Sequence, residues 1–72
     1  MKNILKRLGR NIKKTRCQLQ LTQKELAEKS EITFTHIWRL ENNISFPRLD
    51  TLLKISKGLD IKLEKLIEGI DQ

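Results

Sequence analysis

Apolar residues near the start of the chain recur as Ile4, Leu5, Leu8, Ile12 and Leu19, with Thr15 filling the gap. Steps of three and four return to one side of a helix, so the spacing predicts an amphipathic helix over about residues 3–19. Thr22, followed three residues later by Glu25, is a capping box: hydroxyl and carboxylate each satisfy a backbone N–H left over at a helix start. It opens a second helix that runs to about Lys29. Ser30-Glu31-Ile32 is a short connection, Thr33 caps a third helix to about Asn42, and Asn43 suits the left-handed residue that ends it. Beyond a loop closed by Pro47, a fourth helix is predicted over about residues 48–57, burying Leu49, Leu52, Leu53 and Ser56. Gly58 and Asp60 bracket its end, and Leu63, Leu66, Ile67 and Ile70 form the stripe of a short fifth helix. No segment alternates as a strand does, and no repeat, linker or low-complexity tract interrupts the chain. The expectation is an all-α fold, a compact five-helix bundle in one domain over residues 1–72.

Charge adds a direction to this picture. The chain has 72 residues and a formal net charge of +6. Its first 24 residues hold eight of the 15 basic side chains and none of the nine acidic ones. A merely solvated helix face would mix Lys with Glu, so an anionic partner is expected. A basic amphipathic helix can also lie on anionic lipid, but the aromatic residues fall elsewhere in the chain, which weakens that alternative. Cys17 and His36 are the only residues of their kinds, so no internal disulfide and no metal-ligand set can be assembled, and no metal or cofactor is expected. No apolar run approaches a membrane span and the basic start is not followed by a signal-peptide core, which predicts a soluble, cytoplasmic protein. A core this small leaves little net stability, and dimerisation would supplement it.

Residues 23–42 are two helices joined by a tight turn. Ala27 is small enough to let the helices approach, and Ile32, Ile37 and Leu40 are the apolar positions that lock the pair at a steep angle. At 3.6 residues per turn, Ile37, Leu40 and Glu41 share one side of the third helix. Thr35, Trp38, Arg39 and Asn42 fall on the opposite side, with Phe34 beside them. A hydroxyl, an arginine, an amide and two aromatic rings form a set that reads base edges and touches thymine methyls, and arginine to guanine is the commonest specific contact in a major groove. Phe34 has an alternative place as satellite core. Trp38 has one beside the sugar-phosphate backbone, with its indole N–H donating to a phosphate.

The run Leu21-Thr22-Gln23-Lys24-Glu25-Leu26-Ala27, continued by Ile37-Trp38-Arg39-Leu40-Glu41-Asn42 and by residues 46–55, resembles the Cro/repressor-type helix-turn-helix family. The resemblance covers about residues 9–66. It implies a five-helix fold of the phage-repressor DNA-binding type, with the helix-turn-helix at 23–42 and residues 33–42 as the recognition helix. On that basis Gln23 clamps a backbone phosphate, while Thr33, Phe34, Thr35, Trp38 and Arg39 form the DNA-contacting set of the recognition helix. Asn43, Ser45 and Arg48 fall where the family's following loop touches the backbone or the minor groove. Arg16 and Glu41 match a family ion pair between the first and third helices. The chain departs from the family at Gln20, Glu31 and Asn43, where glycine is frequent, and a left-handed Gln or Glu costs roughly 1 kcal/mol. Arg48 and Lys62 replace the usual Ser or Thr caps.

Double-stranded DNA is thus the expected partner, with no small-molecule ligand and no membrane. Two-fold operators call for two-fold proteins, and the stripe Leu63, Leu66, Ile67 and Ile70 is longer than a core of this size needs, so a homodimer through these residues is expected. An enzyme is not expected, since the chain has no Gly-rich phosphate loop and no Ser/His/Asp set. The expected role is an autoregulatory repressor or controller, like phage repressors or the controllers of restriction–modification systems. The alternative is an antitoxin-type module that binds a protein partner as well as its own promoter.

Overall fold

In a computed structural model that describes residues 2–44 and 46–69, with backbone alone at 2 and 3, the chain forms five helices and no strand. They are α1 (Lys2–Gln18), α2 (Gln23–Ser30), α3 (Phe34–Glu41), α4 (Leu49–Gly58) and α5 (Leu63–Leu66). Every helix contributes to one core: Leu8 and Ile12 from α1, Leu26 and Ala27 from α2, Ile37 and Leu40 from α3, Ile55 from α4 and Leu66 from α5, with Leu59 just past α4. The all-α, five-helix expectation holds.

Four helices end alike. Gln20, Glu31, Asn43 and Asp60 all adopt left-handed φ angles of 57–62°. The next residue in each case returns its N–H five residues back, as Leu21 to Arg16, Ile32 to Ala27, Ile44 to Arg39 and Ile61 to Ser56, at 2.9–3.0 Å. This Schellman closure places an apolar residue just outside the helix, where it folds over the last turn. Leu21, Ile32 and Ile61 do so and pack on the core. Ile44 does not, and remains 58% exposed. No glycine occupies these left-handed sites, so the chain carries their strain rather than reshaping the turns.

Glycine is used instead where helices touch. A Cβ at Gly9 would stand 2.6 Å from Asn43 Oδ1 and 2.7 Å from the Leu40 carbonyl oxygen, so α1 rests directly on the end of α3. A Cβ at Gly58 would overlap Ser30 Oγ and lie 3.1 Å from the Ser30 nitrogen, which brings α4 equally close to α2.

The packing corrects three expectations. Leu49 and Leu53 lie 64% and 49% exposed, and the inner face of α4 is instead Thr51, Ile55 and Ser56, with Leu52 half-buried. The apolar arc of α4 is wider than one contact face, and the close approach at Gly58 selects which part turns inward. Leu19, expected on the buried stripe of α1, is 48% exposed, since the helix ends at Gln18, one residue before it. The fifth helix stops at Leu66 instead of continuing towards Ile70, and Leu66 is wholly buried in the protomer's own core, so it offers nothing to a second subunit. Leu63 is half-buried against that core and Ile67 is 37% exposed, while Ile70 lies outside the described residues.

Candidate nucleic-acid interface

The site is a pair of short helices whose starts are made by side chains. Thr22 Oγ1 accepts from the Glu25 N–H at 3.0 Å, and the Thr22 N–H donates to Glu25 Oε1 at 2.8 Å, completing the predicted capping box. That bond holds the Glu25 carboxyl below the usual carboxylate range, because the N–H favours the charged form. At α3, Thr33 Oγ1 accepts from the His36 N–H at 3.1 Å. As expected from their sequence, Arg48 and Lys62 make no side-chain cap on α4 and α5.

Three helices are then tied together by one carboxylate. Glu41 accepts from Arg16 Nε at 2.7 Å, from Arg16 Nη2 at 3.0 Å and from Gln23 Nε2 at 3.1 Å. Arg16 Nη1 also donates to the Leu21 carbonyl at 2.7 Å, bracing the α1–α2 turn. The Glu41 side chain is 2% exposed and that of Arg16 12%, so neither water nor salt competes strongly for the pair. The bond to Glu41 raises the Arg16 guanidinium pKa further above its already high value. The expected Arg16–Glu41 pair is present. Gln23 was expected as a clamp on a phosphate alone, yet one of its two N–H groups already serves Glu41; the other and its carbonyl oxygen remain available. No sequence spacing marks the Gln23–Glu41 bond, since the partners meet only through the angle between α2 and α3.

With Ile37, Leu40 and Glu41 anchored, the opposite side of α3 is free. Phe34 and Trp38 are 49% and 44% exposed, which removes the satellite-core alternative for Phe34. Thr33, Thr35, Arg39 and Asn42 are exposed as well, and Arg39 forms no ion pair among the described residues. Asn42 turns its amide back to the Trp38 carbonyl at 2.8 Å, acting as the end of the helix. Past it, Asn43 is exposed against Gly9, and Arg48 stands 86% exposed in a loose 3.5 Å pair with Asp50. Ser45 lies outside the described residues. The structure therefore brings Phe34, Thr35, Trp38 and Arg39 onto one outward face, with Asn43 and Arg48 beyond its C-terminal end. Missing from the sequence reading is an apolar set that follows directly: Ile44, Phe46, Leu49 and Leu53, each about half exposed or more. Its signal was the i, i+4 spacing of Leu49 and Leu53, off the line of Ile55 and Leu59. Among the described residues no group of three or more His, Cys, Asp or Glu is placed to hold a metal ion, and no helix is long and apolar enough to cross a membrane.

Comparison with known proteins agrees with this geometry. Residues 12–66 match the sequence profile of the family described as Helix-turn-helix. Over 59 residues the chain is 39% identical to YqaE of Bacillus subtilis (strain 168), described as an uncharacterized HTH-type transcriptional regulator; the match takes in 82% of this chain but only 51% of that protein, so the chain spans about half its length. Among solved structures, the restriction–modification controller protein C.AhdI from Aeromonas hydrophila superposes with a TM-score of 0.84 at 26% identity, over 86% of this chain and 94% of that one. The controller protein C.Esp1396I, solved as a tetramer in complex with its natural 35 base-pair operator, superposes with a TM-score of 0.83 at 33% identity, over 96% of both chains.

Proposed function

Because the chain belongs to the helix-turn-helix family, we propose that it is a sequence-specific DNA-binding regulator of transcription, without enzymatic activity, which sets α3 into the major groove as one half of a two-fold dimer. The observation that carries this reading is the free outer face of α3. Its back is locked by Ile37, Leu40 and the Glu41 network, and its front offers Thr35, Trp38 and an Arg39 that forms no ion pair among the described residues. A rigid helix with donors held outward is what direct readout requires. Arg39 takes guanine through two parallel N–H groups, Phe34 and Thr35 meet neighbouring bases, and Gln23, Thr33, Asn43, Ser45 and Arg48 hold the backbone. The place of action is the cytoplasm and the role an autoregulatory repressor or controller, in keeping with the controller proteins it resembles. The antitoxin-type alternative has no support among those relatives.

The dimer surface proposed is Ile44, Phe46, Leu49 and Leu53. Ile44 occupies the cap position whose equivalents Leu21, Ile32 and Ile61 all pack on the core, yet it is exposed, as are Phe46, Leu49 and Leu53, which follow it within nine residues of the chain. Exposed large apolar side chains mark an interaction site, and the tetrameric assembly of C.Esp1396I on its operator supports a second copy as the partner.

The test is binding of Arg39→Ala and Arg48→Ala to a cognate duplex and its single-base variants at several salt concentrations. Arg39→Ala is expected to cost about 1–3 kcal/mol and to relax preference at one base pair of each half-site. Arg48→Ala should weaken all duplexes alike and flatten the salt dependence by roughly one unit of slope. If Arg39→Ala keeps the wild-type base preference, Arg39 is a clamp and the readout assigned to it is wrong.

A further inference from the structure

Lys6, Arg10 and Lys13 lie on α1, outside the α2–α3 pair. All three are exposed, and none forms an ion pair among the described residues. Spaced by four and three residues, they run along one line of α1, about 10 Å long at a rise of about 1.5 Å per residue. At about 100° per residue the line stands within about 100° of Gly9, on the solvent side of the seam where Gly9 and Arg16 meet α3. Arg7, Lys14 and Arg16, also on α1, point elsewhere. Arg7 lies by Gly69, where an added Cβ would be 3.1 Å from Arg7 Nη1, and Lys14 shares a shallow groove with Lys65 and Glu68 beside α5.

We propose that Lys6, Arg10 and Lys13 form a second phosphate-binding strip, which rests on the sugar-phosphate backbone flanking the base pairs read by α3. The proposal rests on the reading of the chain as a DNA-binding regulator. No acidic residue occurs among the first 24 to neutralise the strip. Three cations along one line suit neighbouring phosphates of one strand, each of which carries one negative charge. A lipid surface would need apolar side chains beside the cations, but Leu8 and Ile12, the middle of the apolar side of α1, are 4% and 0% exposed in the core.

The experiment uses a duplex selected by the wild-type protein from a randomised pool, made in two forms: the selected core alone, and the core with ten arbitrary base pairs on each side. Binding of wild type and of the triple variant Lys6→Gln/Arg10→Gln/Lys13→Gln is followed against salt, with circular dichroism melts to compare folding. On the flanked duplex the variant is expected to lose about 2–3 units of slope in log K against log [salt] while keeping the wild-type base preference. On the trimmed duplex the two proteins should converge. Equal slopes on the flanked duplex, with wild type still selecting its sequence, overturn the strip and leave the regulator reading intact. Binding of wild type to phosphatidylserine vesicles that the variant lacks, together with equal slopes on DNA, overturns it in favour of a lipid surface. Failure to select any duplex removes the regulator reading and the strip with it.

Discussion

Replacing Glu41 by alanine removes the acceptor of three hydrogen bonds from a side chain only 2% exposed. Arg16, 12% exposed in the intact pair, would keep a single partner, the Leu21 carbonyl at 2.7 Å. Breaking one side of a buried pair costs about 3–5 kcal/mol, because the surviving charge stays desolvated. Arg16 has a little access to water and one remaining bond, which places the expected loss near the lower end, about 3 kcal/mol. Against a total of about 4–11 kcal/mol for a chain of this length at ordinary per-residue stability, that is a large fraction. Urea melts are the assay, and the midpoint should fall without a change of slope, since the surface exposed on unfolding is nearly unchanged. Changing both partners to residues of similar size, Arg16→Met with Glu41→Leu, should recover most of the loss, as buried pairs often exchange for apolar contacts at little cost. A loss in Glu41→Ala below about 1 kcal/mol, the range of an exposed pair, would refute the reasoning and mean that water reaches the guanidinium in solution.

Two leucines, one buried and one exposed, should separate core from interface. Leu66→Ala, at a wholly buried position, is expected to cost about 2–5 kcal/mol in denaturant melts. Leu49→Ala, at 64% exposure, should leave dilute-protein melts nearly unchanged and shift sedimentation at micromolar concentration from dimer towards monomer; an unchanged dimer would remove α4 from the interface. Gly58→Ala should destabilise by about 1–3 kcal/mol, typical of overpacking, because its Cβ meets Ser30. Ser30→Ala in the same chain should return part of the loss in the same melts, and no recovery would place the conflict in the Ser30 backbone instead.

Much of this molecule is legible locally. The start of α2 follows from Thr22 and Glu25 because a capping box needs only residues three apart. The strain at Gln20, Glu31 and Asn43 follows from where glycine is missing, since backbone sterics act within one residue. The outward face of α3 follows from periodicity once Ile37 and Leu40 are given to the core. The inner face of α4 does not, because Leu49, Leu52, Leu53, Ile55 and Leu59 spread over too much of the helix for any period to choose among them.

The sequence by itself determined the first four helices, the threonine caps of α2 and α3 and the identity of the side chains on the outward face of α3, because each depends on neighbours within one or two turns. Only the tertiary structure decided that Gln23 shares Glu41 with Arg16, that Leu66 belongs to the chain's own core, and that Leu49 and Leu53 face out. These are matters of how helices cross. The crossing is set by close contacts between distant residues, Gly9 against Leu40 and Asn43 and Gly58 against Ser30, which no local pattern encodes.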